Sequence, residues 1–235
     1  MATIVIDGHT DELPEGTTVL EAARRHHIAI PTLCHHPDLT PFGACRLCMV
    51  EVKTDGRWQL AASCTTPVTD GMKIRTDSAA VKKSRQYAAR LLLSRYPTTE
   101  AVRAAARTVG VAPPPRETEG HDCILCGLCV RTCREIVGVN ALTFQDRGPG
   151  RALDEPVIEF RPTSCIGCGS CAYVCPTGYI RMEEGGDKRL IWDKVFTMVP
   201  CTVCGRYFAP ADQLRYISRI TGVPFSELTT CTSCR

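Results

Sequence analysis

The chain has 235 residues and a formal net charge of +3, and the most informative part of its composition is its sixteen cysteines. They form groups separated by cysteine-free stretches, which favours several small metal-stabilised modules over one large hydrophobic core. The formal charge counts every thiol as neutral, and four metal centres of about −2 each would lower it to about −5. The positive charge is therefore poor evidence for nucleic-acid binding, and no nucleic-acid partner is expected.

The first seven residues read as a strand and not as a secretory signal, because no basic segment is followed by an apolar run. No apolar segment approaches the length needed to cross a bilayer, so direct membrane insertion is not expected. An even number of cysteines also occurs in secreted disulfide proteins. Metal-bound thiolates in a reducing, cytoplasmic location are the expectation that fits these features together.

Residues 1–78 indicate a small domain in which two strands, a helix and further strands follow one another. Residues 3–6 have a strand pattern, Asp7 and Gly8 a turn, and residues 9–13 a return strand. Thr18 and Glu21 have the spacing of a capping box, which predicts the start of a helix. Further strands are predicted at 49–52, 58–63 and 72–76. This order fits a β-grasp fold.

Four cysteines of this domain have the general plan of a [2Fe–2S] site, in which a C-x2-C pair has one cysteine upstream and one downstream. They are Cys34, Cys45, Cys48 and Cys64. The first interval has ten residues, against about four in the plant-type spacing. A single zinc site is the alternative. Rieske-like ligation by His35 and His36 is the alternative, but four cysteines complete the site, so we expect these histidines to lie beside it or to face solvent.

Residues 79–117 contain no cysteine and are predicted to form a helical connector. Ser78 is a candidate N-cap for a helix that runs to Tyr96, and a second helix is predicted at 99–108, before a stiff proline segment. The basic residues of the first helix are predicted to form a solvated face, or alternatively to dock an acidic partner: Lys82, Lys83, Arg85, Arg90 and Arg95.

From about residue 118 the sequence contains two copies of C-x2-C-x2-C-x3-C, the spacing that binds paired [4Fe–4S] clusters. The fourth cysteine of each run reaches the other cluster in this pattern. One cluster is therefore assigned to Cys123, Cys126, Cys129 and Cys175, and the other to Cys133, Cys165, Cys168 and Cys171. Zinc knuckles or a disulfide framework would not explain the doubled spacing.

Glycines within the two runs are expected where a side chain would obstruct the tight turns around a cluster: Gly127, Gly167 and Gly169. Between the runs, residues 141–144 and 157–160 read as strands that flank a hairpin excursion at 147–150.

The tail contains two C-x2-C pairs separated by 26 residues, Cys201, Cys204, Cys231 and Cys234, with Gly205 after the first pair. These pairs predict one four-cysteine site of the zinc-ribbon type, and a third [4Fe–4S] cluster is the alternative. A helix is predicted at 210–220, with Leu214, Ile217 and Ile220 facing inward.

Two stretches carry a resemblance to a known family: Gly43-Ala-Cys45-Arg-Leu-Cys48-Met-Val-Glu-Val and Cys133-Arg-Glu-Ile-Val-Gly138. With the lengthened first loop, they resemble the N-terminal part of the large hydrophilic iron–sulfur subunit of respiratory complex I. They are also similar to the diaphorase-type small subunits of NAD-linked hydrogenases, formate dehydrogenases and electron-bifurcating complexes. The resemblance covers residues 1 to about 185. The complex I subunit has a further site of one histidine and three cysteines, but between Thr65 and Asp122 only His121 is available here, which favours a shorter relative.

The resemblance implies an electron-transfer subunit whose partners are an FMN- and NAD(P)-binding flavoprotein and a second catalytic redox subunit. That second subunit would be a hydrogenase, a formate dehydrogenase or a low-potential reductase. No nucleotide-binding glycine motif and no catalytic constellation is present in the sequence, so the chain is expected to relay electrons and not to act as the catalytic subunit. A free-standing polyferredoxin-type carrier is the alternative.

The predicted fold is α+β in four parts. These are a [2Fe–2S] β-grasp domain (1–78), a helical connector (79–117), a bacterial 2[4Fe–4S] ferredoxin domain (118–192) and a four-cysteine metal-binding module (193–235).

Overall fold

The computed structural model describes residues 1–115, 120–145 and 158–235. The chain divides into two compact units, Met1–Gly127 and Leu128–Arg235. The hairpin excursion predicted at 147–150 lies outside the described residues. Among the described residues, no helix combines the length and apolar character needed to span a membrane.

The first unit is built on a five-stranded mixed sheet with the order β2-β1-β5-β3-β4. Its strands are β1 (Ala2–Ile6), β2 (His9–Leu13), β3 (Met49–Thr54), β4 (Arg57–Ala62) and β5 (Lys73–Arg75). The β1–β5 pair is parallel and the other pairs are antiparallel. Alternate residues of β1 are buried, as expected for a strand with one face on the core.

Helix α1 (Val19–Arg25) packs its apolar residues into the same core as β1 and β3. The predicted capping box starts it: the Glu21 amide donates to Thr18 Oγ1 at 3.2 Å, and the Thr18 amide donates to Glu21 Oε2 at 2.6 Å. The chain segment that leads to Cys34 follows this helix.

Two helices follow the sheet, α2 (Ala79–Arg95) and α3 (Glu100–Thr108). The Val81 amide donates to Ser78 Oγ at 3.2 Å, which is the predicted N-cap. The prediction of a solvated basic face is wrong for Arg85, whose side chain is only 8% exposed. Its Nε donates to the carbonyl oxygen of Met49 at 2.9 Å, because α2 packs against β3.

The second unit begins with helix α4 (Leu128–Arg131), which a π-helical turn, Thr132–Ile136, continues. A two-stranded ribbon, β6 (Leu142–Phe144) with β7 (Ile158–Phe160), pairs antiparallel, and the short helix α5 (Ser170–Tyr173) follows. An antiparallel sheet with the order β11-β10-β9-β8 comes next. Its strands are β8 (Met182–Gly185), β9 (Lys188–Ile191), β10 (Lys194–Pro200) and β11 (Tyr207–Pro210).

Helix α6 (Ala211–Thr221) lies in the tail and is followed by a 3-10 turn, Phe225–Leu228. Leu214 is buried and Ile217 packs against the core of the tail, as predicted. The prediction for Ile220 is wrong, since it is 61% exposed. The buried core of this module consists of Ala209, Leu214 and Leu228, which is too small to cover the last turn of the helix.

Candidate iron–sulfur and metal sites

The structure brings the four N-terminal cysteines together as two close pairs. Cys34 Sγ lies 3.4 Å from Cys45 Sγ, and Cys48 Sγ lies 3.3 Å from Cys64 Sγ. Cys48 precedes β3 and Cys64 follows β4, so the antiparallel pairing of these strands brings the two cysteines together. All four are buried.

Hydrogen bonds to sulfur shape the electrostatics of this site. The Cys34 thiol donates to Cys45 and lowers the pKa of Cys45 to about 6, while the pKa of Cys34 is raised by the same bond. The Cys64 thiol likewise lowers the pKa of Cys48 to about 7. The Leu33 amide donates to Cys45 Sγ at 3.5 Å and the Cys45 amide to Cys34 Sγ at 3.4 Å. Two buried cysteine pairs with amide donors fit a [2Fe–2S] cluster, in which each iron takes two protein ligands.

The second [4Fe–4S] ligand set is gathered around one recess. Cys133 from the first run lines it together with Cys165, Cys168 and Cys171 from the second run. The Ala141 amide donates to Cys133 Sγ at 3.2 Å. The crossing of the fourth cysteine into the neighbouring run is the feature that the doubled spacing predicts, and the residues present fit a cubane.

Two glycines allow the chain to turn around this recess. Gly167 and Gly169 have φ values of +72° and +83°. A Cβ at Gly167 would lie 2.6 Å from Cγ of Phe196, and a Cβ at Gly169 would lie 2.5 Å from Sδ of Met182. Any side chain at either position would therefore strain the backbone and displace a neighbour, which is the obstruction expected from the sequence.

Two basic side chains that the sequence analysis did not identify hold the same loop. Arg189 Nη1 donates to the Gly167 carbonyl at 2.7 Å, and Lys194 Nζ donates to the Cys165 carbonyl at 3.2 Å. Arg189 also pairs with Glu184, Nε to Oε1, at 2.7 Å. The alternation of side-chain direction along β9 and β10 could have indicated which residues face the cysteine loop. It could not have indicated that they donate hydrogen bonds to the carbonyl oxygens of that loop.

The boundary between the two units falls within the first cysteine run, after Gly127. Cys123 and Cys126 belong to the first unit, whereas Cys129 lies on α4 and Cys175 follows α5 in the second unit. Asp122, next to Cys123, accepts a hydrogen bond from Thr99 Oγ1 at 2.9 Å, and its amide donates back to that oxygen at 3.3 Å. This contact fixes the approach to Cys123, and the joint ligand set stays a prediction.

The four tail cysteines form one compact sulfur group. The Sγ atoms of Cys201, Cys204, Cys231 and Cys234 all lie within 4.8 Å of one another. A tetrahedral ion with sulfur ligands at about 2.3 Å gives sulfur–sulfur separations of about 3.8 Å. A cubane holds its ligands on the corners of a larger body, so this spacing fits a single ion better.

Backbone amides and one arginine surround the tail site. The Cys231 amide donates to Cys201 Sγ at 3.3 Å and lowers the pKa of Cys201 to about 6. Arg206 Nη2 lies 3.8 Å from Cys231 Sγ and donates to Ser233 Oγ at 3.0 Å. A hydrogen bond between the side chains of Cys234 and Cys231 raises the pKa of Cys234 to about 12. Arg206 was missed by the sequence analysis, although it directly follows Gly205.

The two histidines after Cys34 contact other side chains. His35 Nε2 lies 3.1 Å from Arg24 Nη1, and His36 Nδ1 lies 3.6 Å from Asp38 Oδ2. The role of the two histidines relative to the [2Fe–2S] site stays a prediction.

Comparison with protein families identifies two domains. Residues 1–79 match the 2Fe-2S iron-sulfur cluster binding domain, and residues 122–179 match the 4Fe-4S dicluster domain. Among individual proteins, the chain is 32% identical to NADPH-Fe(3+) oxidoreductase subunit alpha of Geobacter sulfurreducens, over 93% of this chain and 28% of that protein. It is 34% identical to NADP-reducing hydrogenase subunit HndD of Solidesulfovibrio fructosivorans, over 83% of this chain and 37% of that one.

The predicted resemblance to the iron–sulfur subunits of complex I and of NAD(P)-linked hydrogenases is confirmed. The chain is also 29% identical to the mitochondrial NADH dehydrogenase [ubiquinone] iron-sulfur protein 1 of Solanum tuberosum, over 81% of this chain and 29% of that protein. It therefore spans about 28% to 37% of the length of these relatives. A chain in the crystal structure of an NAD+-reducing [NiFe]-hydrogenase in the H2-reduced state aligns with a TM-score of 0.48 and 29% identity, over 63% of this chain and 71% of that one.

Proposed function

We propose that this chain is the electron-transfer iron–sulfur subunit of a multisubunit NAD(P)H- and flavin-linked oxidoreductase. It relays single electrons through one [2Fe–2S] and two [4Fe–4S] clusters between a flavoprotein that binds FMN and NAD(P) and a second catalytic subunit. The second subunit is a hydrogenase, a formate dehydrogenase or a low-potential reductase, including reductases of the electron-bifurcating kind. The chain itself is a relay and not the catalytic subunit.

The observation that carries this proposal is the presence of both iron–sulfur domains on one chain, with cysteines gathered at the [2Fe–2S] site and at one of the two [4Fe–4S] sites. The N-terminal domain has two buried cysteine pairs, and Cys133 joins three cysteines of the second run around one recess. The names of the three relatives each mention a nicotinamide nucleotide: NADPH, NADP or NADH. A flavin is the usual converter between a two-electron nicotinamide and one-electron clusters, which accounts for the proposed flavoprotein partner.

The proposal includes the division into four parts at 1–78, 79–117, 118–192 and 193–235. The sheet order and the helix α1 support a β-grasp fold for the first part, and the two helices α2 and α3 support a connector for the second. The proposal also places the protein in the cytoplasm, because clusters held by thiolates are typical of a reducing compartment.

The clusters supply one-electron acceptance and donation when bound. The residues of this chain bury the four sulfur ligands of the [2Fe–2S] site and donate amide hydrogen bonds to ligand sulfurs, and both features tune the potential of a bound cluster. For the tail we propose structural zinc, because its four sulfurs are spaced for a single ion.

Metal and acid-labile sulfide analysis of anaerobically purified protein, with low-temperature EPR during a redox titration, tests the proposal. About ten irons and one zinc, with one [2Fe–2S] and two [4Fe–4S] signals, are expected. About fourteen irons without zinc would make the tail a third cubane. Zinc in the twin cysteine runs with little iron would overturn the relay.

A free-standing polyferredoxin-type carrier is the second candidate, because a chain that binds several clusters can accept and donate electrons without a fixed partner. Purification of the tagged protein from its own cells distinguishes the two. A stable complex that contains FMN supports the subunit, whereas a monomer that is reduced and reoxidised by several partners supports the carrier.

A further inference from the structure

The turn between β9 and β10 contains an unusual residue. Lys194 pairs with Ile191, so Trp192 and Asp193 form a two-residue hairpin turn. Their φ values are +53° and +57°, the left-handed pair that a type I′ turn requires. Asparagine, aspartate and glycine are the usual residues at such positions, and a bulky side chain at positive φ is an outlier. Strain of this kind persists where the surrounding structure holds the residue in place, and often at functional sites.

The Trp192 side chain is held by aromatic contacts at the recess of the second [4Fe–4S] ligand set. Trp192 lines that recess together with Cys133, Cys165, Cys168 and Cys171. Phe160 stacks on its ring with a centroid distance of 5.7 Å, and Tyr179 meets it edge-on at 6.3 Å. Two aromatic neighbours at these distances and orientations fix the plane of the indole.

The indole N–H of Trp192 is buried and forms no regular hydrogen bond within the described part of the chain. A buried donor without an acceptor costs free energy comparable to a lost hydrogen bond, so native structures rarely keep one without a ligand, a water or an ion to receive it. The group expected in this recess presents sulfur acceptors.

We propose that Trp192 donates its indole N–H to a sulfur atom of the [4Fe–4S] centre held by Cys133, Cys165, Cys168 and Cys171, and thereby raises the reduction potential of that centre. The inference rests on the proposed function, since it requires a cluster in this recess. A hydrogen bond to sulfur stabilises the reduced, more negative cluster more than the oxidised one. The turn at Trp192 and Asp193 positions the indole N–H toward the cluster.

The variant Trp192→Phe tests the proposal in the full-length, anaerobically purified holoprotein. Phenylalanine keeps an aromatic ring but removes the N–H. The chain contains two tryptophans, and Trp58 in β4 stacks with the guanidinium of Arg75 at 4.0 Å, so Trp58→Phe is the matched control. We expect one [4Fe–4S] midpoint potential to become more negative in Trp192→Phe, with iron content unchanged, and no shift of either [4Fe–4S] potential in Trp58→Phe.

A second measurement does not depend on whether the variant assembles. Wild-type protein is grown with tryptophan labelled with ¹⁵N in the indole ring and reduced, and the hyperfine coupling of that nitrogen to a [4Fe–4S] spin is recorded. The coupling is expected in wild type and in labelled Trp58→Phe. Its absence from reduced wild-type protein that contains both cubanes would overturn the proposal.

The outcomes separate the two claims. If wild-type protein contains no [4Fe–4S] cluster, the proposed function fails. If both cubanes are present and Trp192→Phe has unchanged potentials, the relay stands and the role of Trp192 is wrong.

Discussion

The N-terminal and tail sites each contain four cysteines, but the two sites arrange their sulfurs differently. In the N-terminal site the sulfurs form two pairs at 3.4 and 3.3 Å, and all four residues are buried. In the tail all four sulfurs lie within 4.8 Å, and Cys204 is exposed. Two pairs suit two irons, and one compact group suits one ion. The ligand type alone does not decide the metal.

The two sites also differ in what holds them together. The main core of the N-terminal domain contains eleven buried residues, ten of them from the sheet and α1, whereas the tail core contains three. A module with so small a core depends on its metal for folding. We expect the larger core of the N-terminal sheet to keep its structure when the cluster is lost.

The largest expected effect is the loss of the tail metal in Cys231→Ser. Structural zinc contributes on the order of 10 kcal/mol to the folding of small metal modules, so α6 and the β10–β11 pair should lose protection against hydrogen exchange. Mass spectrometry of exchange measures this segment by segment. Ser233→Ala, in the same loop, is the control and should leave protection unchanged. Full protection of α6 in a metal-free Cys231→Ser tail would contradict the dependence.

The matching variant in the N-terminal site is Cys48→Ser, and its effect should be narrower. The [2Fe–2S] EPR signal should disappear, and exchange should increase in the loop from Cys34 to Cys48. Strands β1 and β3 should keep most of their protection, because their core residues remain buried. Exchange of the whole sheet at the rate of an unfolded chain would remove the contrast between the two sites.

Glycines next to the ligands give a finer comparison. Gly43 and Gly205 have φ values of +70° and +72°, so alanine is strained by about 1 kcal/mol at each. A Cβ at Gly43 would lie 3.1 Å from Thr65 Cγ2, whereas a Cβ at Gly205 would meet nothing within 4 Å. Crowding should therefore make Gly43→Ala about 1 kcal/mol more destabilising than Gly205→Ala.

Thermal or denaturant unfolding of the holoprotein measures the difference in stability between the two alanine variants. The signal is the release of the metal or cluster from the site next to each substitution. Equal destabilisation by the two alanines would mean that Thr65 moves aside without cost, and that the N-terminal loop is less tightly packed than its burial indicates.

The sequence was sufficient for the local features of both regions. The Thr18 and Glu21 spacing predicted the start of α1, and Ser78 predicted the start of α2, because caps depend on neighbours within one helical turn. The cysteine spacings likewise predicted the domains that the family comparison identifies.

The pairing of the cysteines could not be derived from spacing. Cys45 and Cys48 form a C-x2-C motif, yet Cys45 pairs with Cys34 and Cys48 with Cys64. The same motif at Cys201 and Cys204 contributes both residues to one compact group. The difference arises from strand pairing and loop closure over many residues, which a motif of four residues does not encode.

Arg85 shows a second limit of sequence-based reasoning. Its place among other basic residues of α2 predicted a solvated face. Its burial depends on the packing of α2 against β3, a contact between residues 36 positions apart in sequence. A local charge pattern carries no information about such a contact.

The smallest expected effect concerns the two arginines beside cysteine ligands. Arg85 is buried, its Nη2 makes no hydrogen bond within the described residues, and its bonded carbonyl belongs to Met49, directly after Cys48. A buried guanidinium stabilises added negative charge nearby, so Arg85→Met should lower the [2Fe–2S] potential. A change of about 1 kcal/mol corresponds to roughly 40 mV for one electron. Lys82→Met, an exposed cation on the same helix, is the control and should have little effect because solvent screens it.

Arg206 completes the comparison in the tail, because it also approaches a ligand sulfur but is exposed to solvent. Solvent screens its charge, so Arg206→Met should leave zinc retention nearly unchanged in a competition with a chromogenic chelator. A [2Fe–2S] potential that is the same in wild type and Arg85→Met would mean that water or a neighbouring acid already compensates the buried cation. In that case the burial of Arg85 would make the N-terminal site differ from the tail site in packing, but not in its effect on the charge of the bound metal.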